Sequence, residues 1–536
     1  MDSQIYISTT DGLTLELKSK YSPDLVKAIH RFCHFPKWNG DKKIWELKLN
    51  PANMRGLLEL PGILIRDESV QDIFTRFSLY NSRLENLHQS KQLEPDFYSV
   101  GTFKLKKFQV EGVQYLLNHN RALFWDDMGL GKTVQALTAV EIGNSFPCIV
   151  VAPSGLKNTW KDTWHKAFPD RIVQVLGANQ TVNCLADVYI LSYNKVKDYI
   201  VELQATFPIS IIVDEAHEIK NFKLGRFKSL RWLSQFMPIR YLLTGTPIMN
   251  RPSELLAQLM LIDILDTHFG GFENFIIRYC GAKKTIFGWD YQGASNLTEL
   301  NERLTSLCAL RRTKAQIAND IPSKTIHYHT SRISNEQEYQ LEYCNIRQFR
   351  DGIDVTQGIA WMNRLRLLSA LGKLESFFQW ADMVVAGGEK LVVFAYHTEV
   401  LLKIKQHFNC QVVDGNMSEK KKIKVVDHFQ NSPDEKVLAL NLRSGGLGWT
   451  LTSSAIVAFL ESDWNPKIME QAGDRVHRIG QLRPVDIFHF IGVDTIDEFM
   501  LEILAKKSTK ADEVTDDHIS VKRELFDLLT QKQIAA

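Results

Sequence analysis

Short apolar runs that end in turn or polar residues recur in two series along the chain. The first contains PCIVVAP, DVYILSYN, ISIIVDEAH and RYLLTGTP, interleaved with helical patterns. Such runs, bounded by turn residues and separated by amphipathic stretches, predict a mostly parallel sheet with crossover helices. The second series begins at KLVVFAYHT and continues through CQVVDG, KVLALNL, AIVAFLES and VDIFHFIG. Between the two, SELLAQLMLIDIL and LTELNERLTSL carry a helical period. Ahead of them, QIYIST and KIWELKL alternate around PDLVKAIHRF, which opens on Ser22 as N-cap and Pro23 in the first turn. The fold expected is α/β, with two parallel-sheet lobes, a helical insertion between them and a small N-terminal α/β domain. The expected boundaries are 1–80 for the small domain, 81–100 for a polar linker and 101–251 for the first lobe. They continue as 252–386 for the helical connection, 387–507 for the second lobe and 508–536 for a charged helical tail.

Composition removes most alternatives to this picture. The 536 residues are 44% hydrophobic and 24% charged, with 30 Gly and 16 Pro, which excludes collagen-like, low-complexity and disordered chains. Lys plus Arg number 64 against 62 Asp plus Glu, a formal charge of +2. Nucleic-acid binding would therefore depend on a local basic path and not on total charge. The seven cysteines form no C-x-x-C pair and their number is odd, so reduced thiols are expected in place of a disulfide framework or zinc site. The N-terminus lacks the pattern of a signal peptide, and no run of about 18 apolar residues occurs. The expectation is a soluble intracellular protein without membrane contact, in the cytoplasm or nucleoid of a bacterium or virus-infected cell, or in a eukaryotic nucleus.

Chemistry is concentrated in three segments. RALFWDDMGLGKTVQALTAV runs from an apolar strand through a glycine turn into a helix. Gly129 and Gly131 let backbone approach a phosphate, the helix N-terminus presents N–H groups, Lys132 supplies charge and Thr133 is placed for Mg2+. Asp126 stands where the strict phosphate-loop pattern has its first glycine. About 80 residues on, ISIIVDEAH ends a strand with Asp214 and Glu215, the first suited to hold the metal through water and the second to polarise an attacking water. QAGDRVHRIGQ offers Arg475 and Arg478 three apart, on one face if the segment is helical, as arginine fingers for a transferring phosphoryl group.

The chain resembles the Snf-type (Swi/Snf) helicase-like ATPases of helicase superfamily two. The resemblance rests on LKKFQVEGVQYL, DDMGLGKT, VVAPSGLKNTW, ILSYNKV, VDEAH, LLTGTPIMN, VVFAYHTE, NLRSGGLGWTLT and QAGDRVHRIGQ in family order, with FIIRYC and LRRTKAQIANDIPSK between them. It implies two RecA-like lobes and an ATP hydrolase that uses ATP and Mg2+. By matched position, Gln109 would contact adenine. Met128, Gly129, Leu130, Gly131, Lys132 and Thr133 would hold the phosphates, Thr133 and Asp214 the metal, and Glu215 would be the catalytic base. His217, Thr244, Gly245 and Thr246 would couple nucleotide state to movement, and Gln471, Arg475 and Arg478 would complete the site. DNA would run through Pro153, Ser154 and Lys157, Ser192 and Tyr193, His397, and Ser444, Gly445 and Gly446, contacted through its backbone. The sequence departs from the family pattern at Arg443, Ser444 and Trp449.

The resemblance implies translocation on double-stranded DNA by a monomer. The segment YSPDLVKAIHRFCHFPKWNGDKKIWELKL looks like the HARP substrate-recognition domain of annealing helicases, which favours remodelling or reannealing of branched DNA. A small α/β cap packed on the first lobe is the alternative for this segment. Phe35, Trp38 and Trp45 are either base-stacking or core residues. A strand-separating helicase, and a motor that displaces DNA-bound proteins, are the alternative activities.

Overall fold

The computed structural model describes residues 4–65, 67–87, 93, 99–245, 251–286, 288–317, 321–348, 355–442, 449–463 and 466–509. The chain divides into two units. The first comprises Met1–Asp126, Gly131–Ile248 and Pro252–Arg312, and the second Asp127–Leu130, Met249–Arg251 and Thr313–Ala536.

The first unit begins with five short strands, β1 (Ile5–Thr9), β2 (Thr14–Lys18), β3 (Lys37–Asn39), β4 (Ile44–Lys48) and β5 (Ile63–Ile65), in the order β3-β4-β2-β1-β5. Helix α1 (Pro23–Phe32) starts where the Ser22 Oγ accepts the Leu25 N–H at 3.4 Å and Pro23 occupies the first turn. Helix α2 (Pro51–Leu58) repeats the device with Asn50, whose side chain caps Asn53 N at 2.9 Å. Helix α3 (Glu68–Asn86) runs on through the first part of the expected linker. Its Phe77 and Tyr80 rings lie 5.3 and 6.1 Å from the ring of Phe207. Arg83 Nη1 donates to the Phe146 carbonyl at 2.6 Å, and Tyr80 Oη donates to the Phe236 carbonyl at 3.2 Å. One continuous apolar core therefore spans the small sheet, α3 and one face of the larger sheet.

That larger sheet has seven strands: β6 (Arg121–Phe124), β7 (Cys148–Ala152), β8 (Val173–Val175), β9 (Val188–Ser192), β10 (Ser210–Asp214), β11 (Ile239–Leu243) and β12 (Ala309–Leu310). Their order is β8-β9-β7-β10-β11-β6-β12, and every pairing is parallel. Strands β7, β9, β10 and β11 are buried at all five positions, because both faces are covered. Val150, Ile190 and Ile212 enter the core shared with the small domain, while Val151, Leu191 and Val213 enter the core on the opposite face.

The second unit contains a six-stranded, all-parallel sheet: β13 (Lys324–Ser331), β14 (Leu391–Ala395), β15 (Gln411–Val413), β16 (Val437–Asn441), β17 (Ile456–Phe459) and β18 (Val485–Gly492). Its order is β13-β18-β17-β14-β16-β15. Lys373, fully buried, donates to the carbonyls of Leu460 and Phe490 at 2.7 and 2.8 Å and to Asp497 Oδ2 at 2.5 Å. The same carboxylate oxygen accepts from Ser369 Oγ and Gly492 N. Removing one partner of such a fully bonded charge pair leaves the other desolvated and uncompensated.

The α/β class and the two parallel sheets are as the hydrophobic pattern predicts. Residues 252–312 belong to the first unit and return a strand, β12, to its sheet beside β6, whereas β13 joins the second sheet beside β18. Both strands escaped notice because a two-residue edge strand carries no period, and β13 alternates exposed with half-buried positions. The linker residues 88–92 and 94–98, and all but two residues of the tail from 508, lie outside the described residues.

Phe207→Ala removes the ring on which Phe77 and Tyr80 rest and should lower the stability of the first unit by about 3–5 kcal/mol. Urea unfolding followed by tryptophan fluorescence measures it; an unchanged midpoint would mean that α3 does not dock on this core in solution.

Candidate active site

Parallel strands place all their carboxyl ends on one edge of a sheet, and the loops at that edge carry the chemistry-bearing residues. In the seven-stranded sheet β6 is followed along the chain by the glycine turn, β7 by Pro153, β9 by Tyr193, β10 by Glu215 and β11 by Thr244. Segments separated by more than 100 residues in the chain thus meet along one line.

The glycine turn enters helix α5, Lys132–Gly143, with Gly131 as N-cap at φ 78° and Gly129 at φ 83°. Both lie in the left-handed region that side chains disfavour. At Gly131 space also decides: an added Cβ would stand 2.4 Å from Gln109 Nε2. Gln109 is buried near the start of helix α4 (Lys107–Asn118), where its Oε1 accepts the Lys106 N–H at 2.9 Å. Its carboxamide therefore links the start of α4 to the turn. Lys132 Nζ donates to the Asp126 carbonyl at 2.6 Å, folding over the turn it follows.

Asp126 has no exposed surface. Arg312 Nε donates to its Oδ1 at 2.9 Å and Nη2 to its Oδ2 at 2.5 Å. The same guanidinium bonds the Phe108 carbonyl through Nη1 and Gln135 Oε1 at 2.9 Å through Nη2. A Cβ at Gly112 would fall 2.6 Å from Arg312 Nη2 and 2.0 Å from Gln135 Oε1, so α4 needs glycine there for the fork to pass. Pattern reading of the turn recorded Asp126 only as a departure and missed Arg312, Gln135 and Gly112. Their one signal was the LRRTK text, which carries Arg312.

At the end of β10, Asp214 Oδ2 accepts from Trp160 Nε1 at 2.8 Å and Oδ1 from the Glu215 N–H at 3.0 Å. Burial, and then the charge of Glu215, push the Asp214 carboxyl up to about 6; the Trp160 bond and the charge of Lys132 oppose the rise. Glu215 sits at φ 52°, and Tyr193 Oη holds this bend by donating to the carbonyls of Asp214 at 2.5 Å and Glu215 at 3.2 Å. His217 Nδ1 lies 3.3 Å from Glu215 Oε2 and 3.2 Å from Thr244 Oγ1. Burial by itself would depress the His217 pKa, but the bond to Glu215 and its charge reverse the sign, and the pKa is raised. Gly245 follows at the same edge, and Thr246 lies outside the described residues.

Among the described residues no group of three or more His, Cys, Asp and Glu side chains is arranged to hold a metal. The residues present suit Mg2+ nonetheless. That ion takes one or two carboxylates and completes its shell with water and phosphate oxygens, and the charge of Glu215 beside the buried Asp214 is the strain a divalent cation relieves.

The expected DNA residues divide by exposure. Ser154 is exposed, and Pro153 and Lys157 are half-buried around the start of helix α6 (Lys157–Ala167). Ser192 is buried, and Tyr193 is 5% exposed with its hydroxyl committed beneath Asp214 and Glu215. Tyr193 is thus a support of the acidic turn, and its side chain is withdrawn from any phosphate path.

In the second unit Gln471 lies on the helix Pro466–Gly473, which ends before Arg475 and Arg478. The two arginines stand in the turns that follow, not on a helical face as their spacing suggested. Arg478 Nη1 donates to the Trp449 carbonyl at 3.3 Å, and Trp449 is buried in an apolar core. Burial and the neighbouring charge of Arg475 bring the Arg478 pKa down to about 10. A desolvated guanidinium beside a second cation is a group that an anion would stabilise. His397 follows β14 and is paired through Nδ1 with the buried Glu461 at 2.6 Å; Glu461 Oε2 accepts the N–H groups of Tyr396 and His397. Burial would raise the Glu461 carboxyl, but the His397 bonds and charge outweigh it, and its pKa is lowered. Ser444, Gly445 and Gly446 lie outside the described residues.

The SNF2-related domain family matches residues 108–374, and the helicase conserved C-terminal domain family matches residues 373–480. The chain belongs to the SNF2-related family. Among similar proteins, the Xenopus laevis SWI/SNF-related matrix-associated actin-dependent regulator of chromatin subfamily A-like protein 1 is 32% identical over 421 residues, 75% of this chain and 43% of that protein. The human DNA annealing helicase and endonuclease ZRANB3 is 29% identical over 433 residues, 76% of this chain and 40% of that protein. The chain thus spans about two fifths of the length of these SNF2-related proteins. The Sulfolobus solfataricus SWI2/SNF2 ATPase core solved in complex with dsDNA is 24% identical, with a TM-score of 0.39, covering 82% of this chain and 97% of that one.

Two stability measurements test this architecture. Arg312→Ala leaves Asp126 buried without its bidentate partner and should cost about 3–5 kcal/mol in urea unfolding of the first unit. Asp214→Asn acts in the opposite sense. A carboxyl raised from its ordinary value to about 6 favours the fold while protonated, and that support is lost as pH rises through 6. The asparagine variant should therefore be more stable than the native chain at pH 7, by on the order of 2–3 kcal/mol, with the difference vanishing toward pH 4.

Proposed function

We propose that the chain is a DNA-stimulated, Mg2+-dependent ATPase that moves along double-stranded DNA and remodels or reanneals branched DNA. The observation that carries the reading is the gathering of Gly131, Lys132, Asp214, Glu215, His217 and Thr244 at one edge of the first sheet, in a member of the SNF2-related family. The names of its relatives, one an annealing helicase, support the choice of substrate.

Lys132, now bonded to a carbonyl of the turn, has the reach and charge to exchange that partner for phosphate oxygens. Thr133 and Asp214 would hold Mg2+, which supplies charge neutralisation to the transferring phosphoryl group. Glu215 orients and deprotonates the attacking water, and its pairing with His217 keeps the carboxylate aimed while passing its state to Thr244. Arg475 and Arg478 furnish positive charge for the developing transition state. Gln109 reads the base, and Met128, Gly129 and Leu130 shape the phosphate turn. DNA is held through its backbone by Pro153, Ser154 and Lys157 of the first unit and by His397 and Ser444, Gly445 and Gly446 of the second, without sequence preference. The small N-terminal domain selects branched structures.

Lys132→Ala should abolish hydrolysis, and Glu215→Gln should retain ATP binding while lowering turnover at least about 100-fold. ATPase rates with single-stranded, duplex and forked DNA and with RNA, and reannealing of a bubble, provide the readouts. Near-normal turnover in either variant would remove that residue's role, and a rate indifferent to DNA would remove the motor.

A further inference from the structure

Between Glu218 and Glu254 the chain carries seven Lys or Arg residues and no Asp or Glu. The helix Gly225–Ser234 in this stretch is two-faced. Phe227, Leu230 and Leu233 are buried. Leu224, Lys228, Arg231 and Trp232, spaced to share one face, are exposed, with Leu224 and Trp232 each 55% accessible. Among the described residues Lys228 and Arg231 form no ion pair, so their charge is not cancelled locally.

The N-terminal domain brings an aromatic residue to the same region. Phe35 is 87% exposed and holds φ at 51°, a conformation that costs energy for a bulky side chain. The turn is locked from within: the His34 N–H donates to Oδ1 of the fully buried Asn53 at 2.5 Å, and Asn53 Nδ2 donates to the Lys48 carbonyl at 2.8 Å. The His34 ring lies 5.6 Å from that of Phe35 and 6.3 Å from that of Phe236, which directly follows the basic helix. The Tyr80 bond to the Phe236 carbonyl ties the two parts together within the first unit.

We propose that Phe35 with Leu224, Lys228, Arg231 and Trp232 forms a binding path for single-stranded DNA, made of none of the residues assigned to ATP or to the duplex. Unscreened cations on an acid-free stretch suit a polyanion. Rings fixed in the open gain nothing from a duplex, whose bases are stacked internally, whereas an unpaired base stacks on an aromatic face irrespective of sequence. The path rests on the reading of the chain as a DNA motor and adds the form of the substrate: a strand leaving a branch point is engaged beside the motor while duplex is engaged by it.

The test uses the full chain, with an oligo-dT strand and a blunt duplex as probes in fluorescence anisotropy and ATPase stimulation. Trp232→Ala and Phe35→Ala should each weaken oligo-dT binding about tenfold, the order that one stacked base supplies. The pair Lys228→Glu with Arg231→Glu should weaken it further and flatten its salt dependence. Duplex-stimulated ATPase should stay within about twofold of the native rate, which also reports that the variants are folded. Unchanged oligo-dT binding in the variants, absence of oligo-dT binding by the native chain, or equal loss of duplex stimulation would each overturn the path. A native chain that binds oligo-dT through these residues yet shows no DNA-stimulated hydrolysis would support the path and overturn the motor.

Discussion

The phosphate turn depends on a charge pair that no ligand touches. Asp126 lies two residues past the strand that feeds the turn and has no access to solvent, so its carboxylate is tolerable only with a partner of equal burial and several directed bonds. Arg312 supplies them from 186 residues away, and with its remaining N–H groups fixes Phe108 at the head of α4 and Gln135 within α5. One guanidinium therefore joins the three elements that bound the turn. The pairing also dictates what surrounds it: a glycine where the fork crosses α4, and the rings of Phe108 and Phe124 against the guanidinium. The strand β12 lies just before Arg312, and its pairing with β6 brings the arginine to Asp126.

A second layer of support lies under the acidic turn. Asp214 and Glu215 are forced together by adjacency in sequence and by burial, and the left-handed bend at Glu215 would relax without restraint. Trp160 from α6 and Tyr193 after β9 provide it, one through the Asp214 carboxylate and the other through two carbonyls. Both come from the segments that follow neighbouring strands, β7 and β9. The parallel register of β7, β9 and β10 is thus what delivers the restraint to the right place.

How much of this was legible in the sequence follows from the range over which each interaction acts. The apolar runs announced β7, β9, β10 and β11 because a strand buried on both faces must be apolar throughout. The turn at Gly129 to Thr133 and the acids at Asp214 and Glu215 were legible because their chemistry is local and their spacing fixed. Arg312 was not, since a lone arginine reveals nothing of a partner 186 residues distant. Tyr193 was expected on the DNA path only from its matched position in the family; its burial comes from tertiary packing that no local pattern encodes. A three-residue spacing puts the arginines of the second unit on one face only if the segment is helical, but the helix stops at Gly473 and the turns beyond it set their positions.

The balance of charges takes on a different meaning once the positions are known. A formal charge of +2 conceals segregation: the acids near the phosphate turn, Asp126 and Asp214, are buried and bonded, while a run between Glu218 and Glu254 has bases alone among its charged residues. Acids that are desolvated and bonded contribute little field to the surface, whereas exposed lysines and arginines contribute theirs in full. The surface of that stretch is therefore more positive than the count over the whole chain suggests. The same division explains why the aromatic residues differ in exposure. Trp160 and Phe77 are spent on cores and on holding a carboxylate, whereas Phe35 and Trp232 pack into neither and are among the exposed rings able to meet a base.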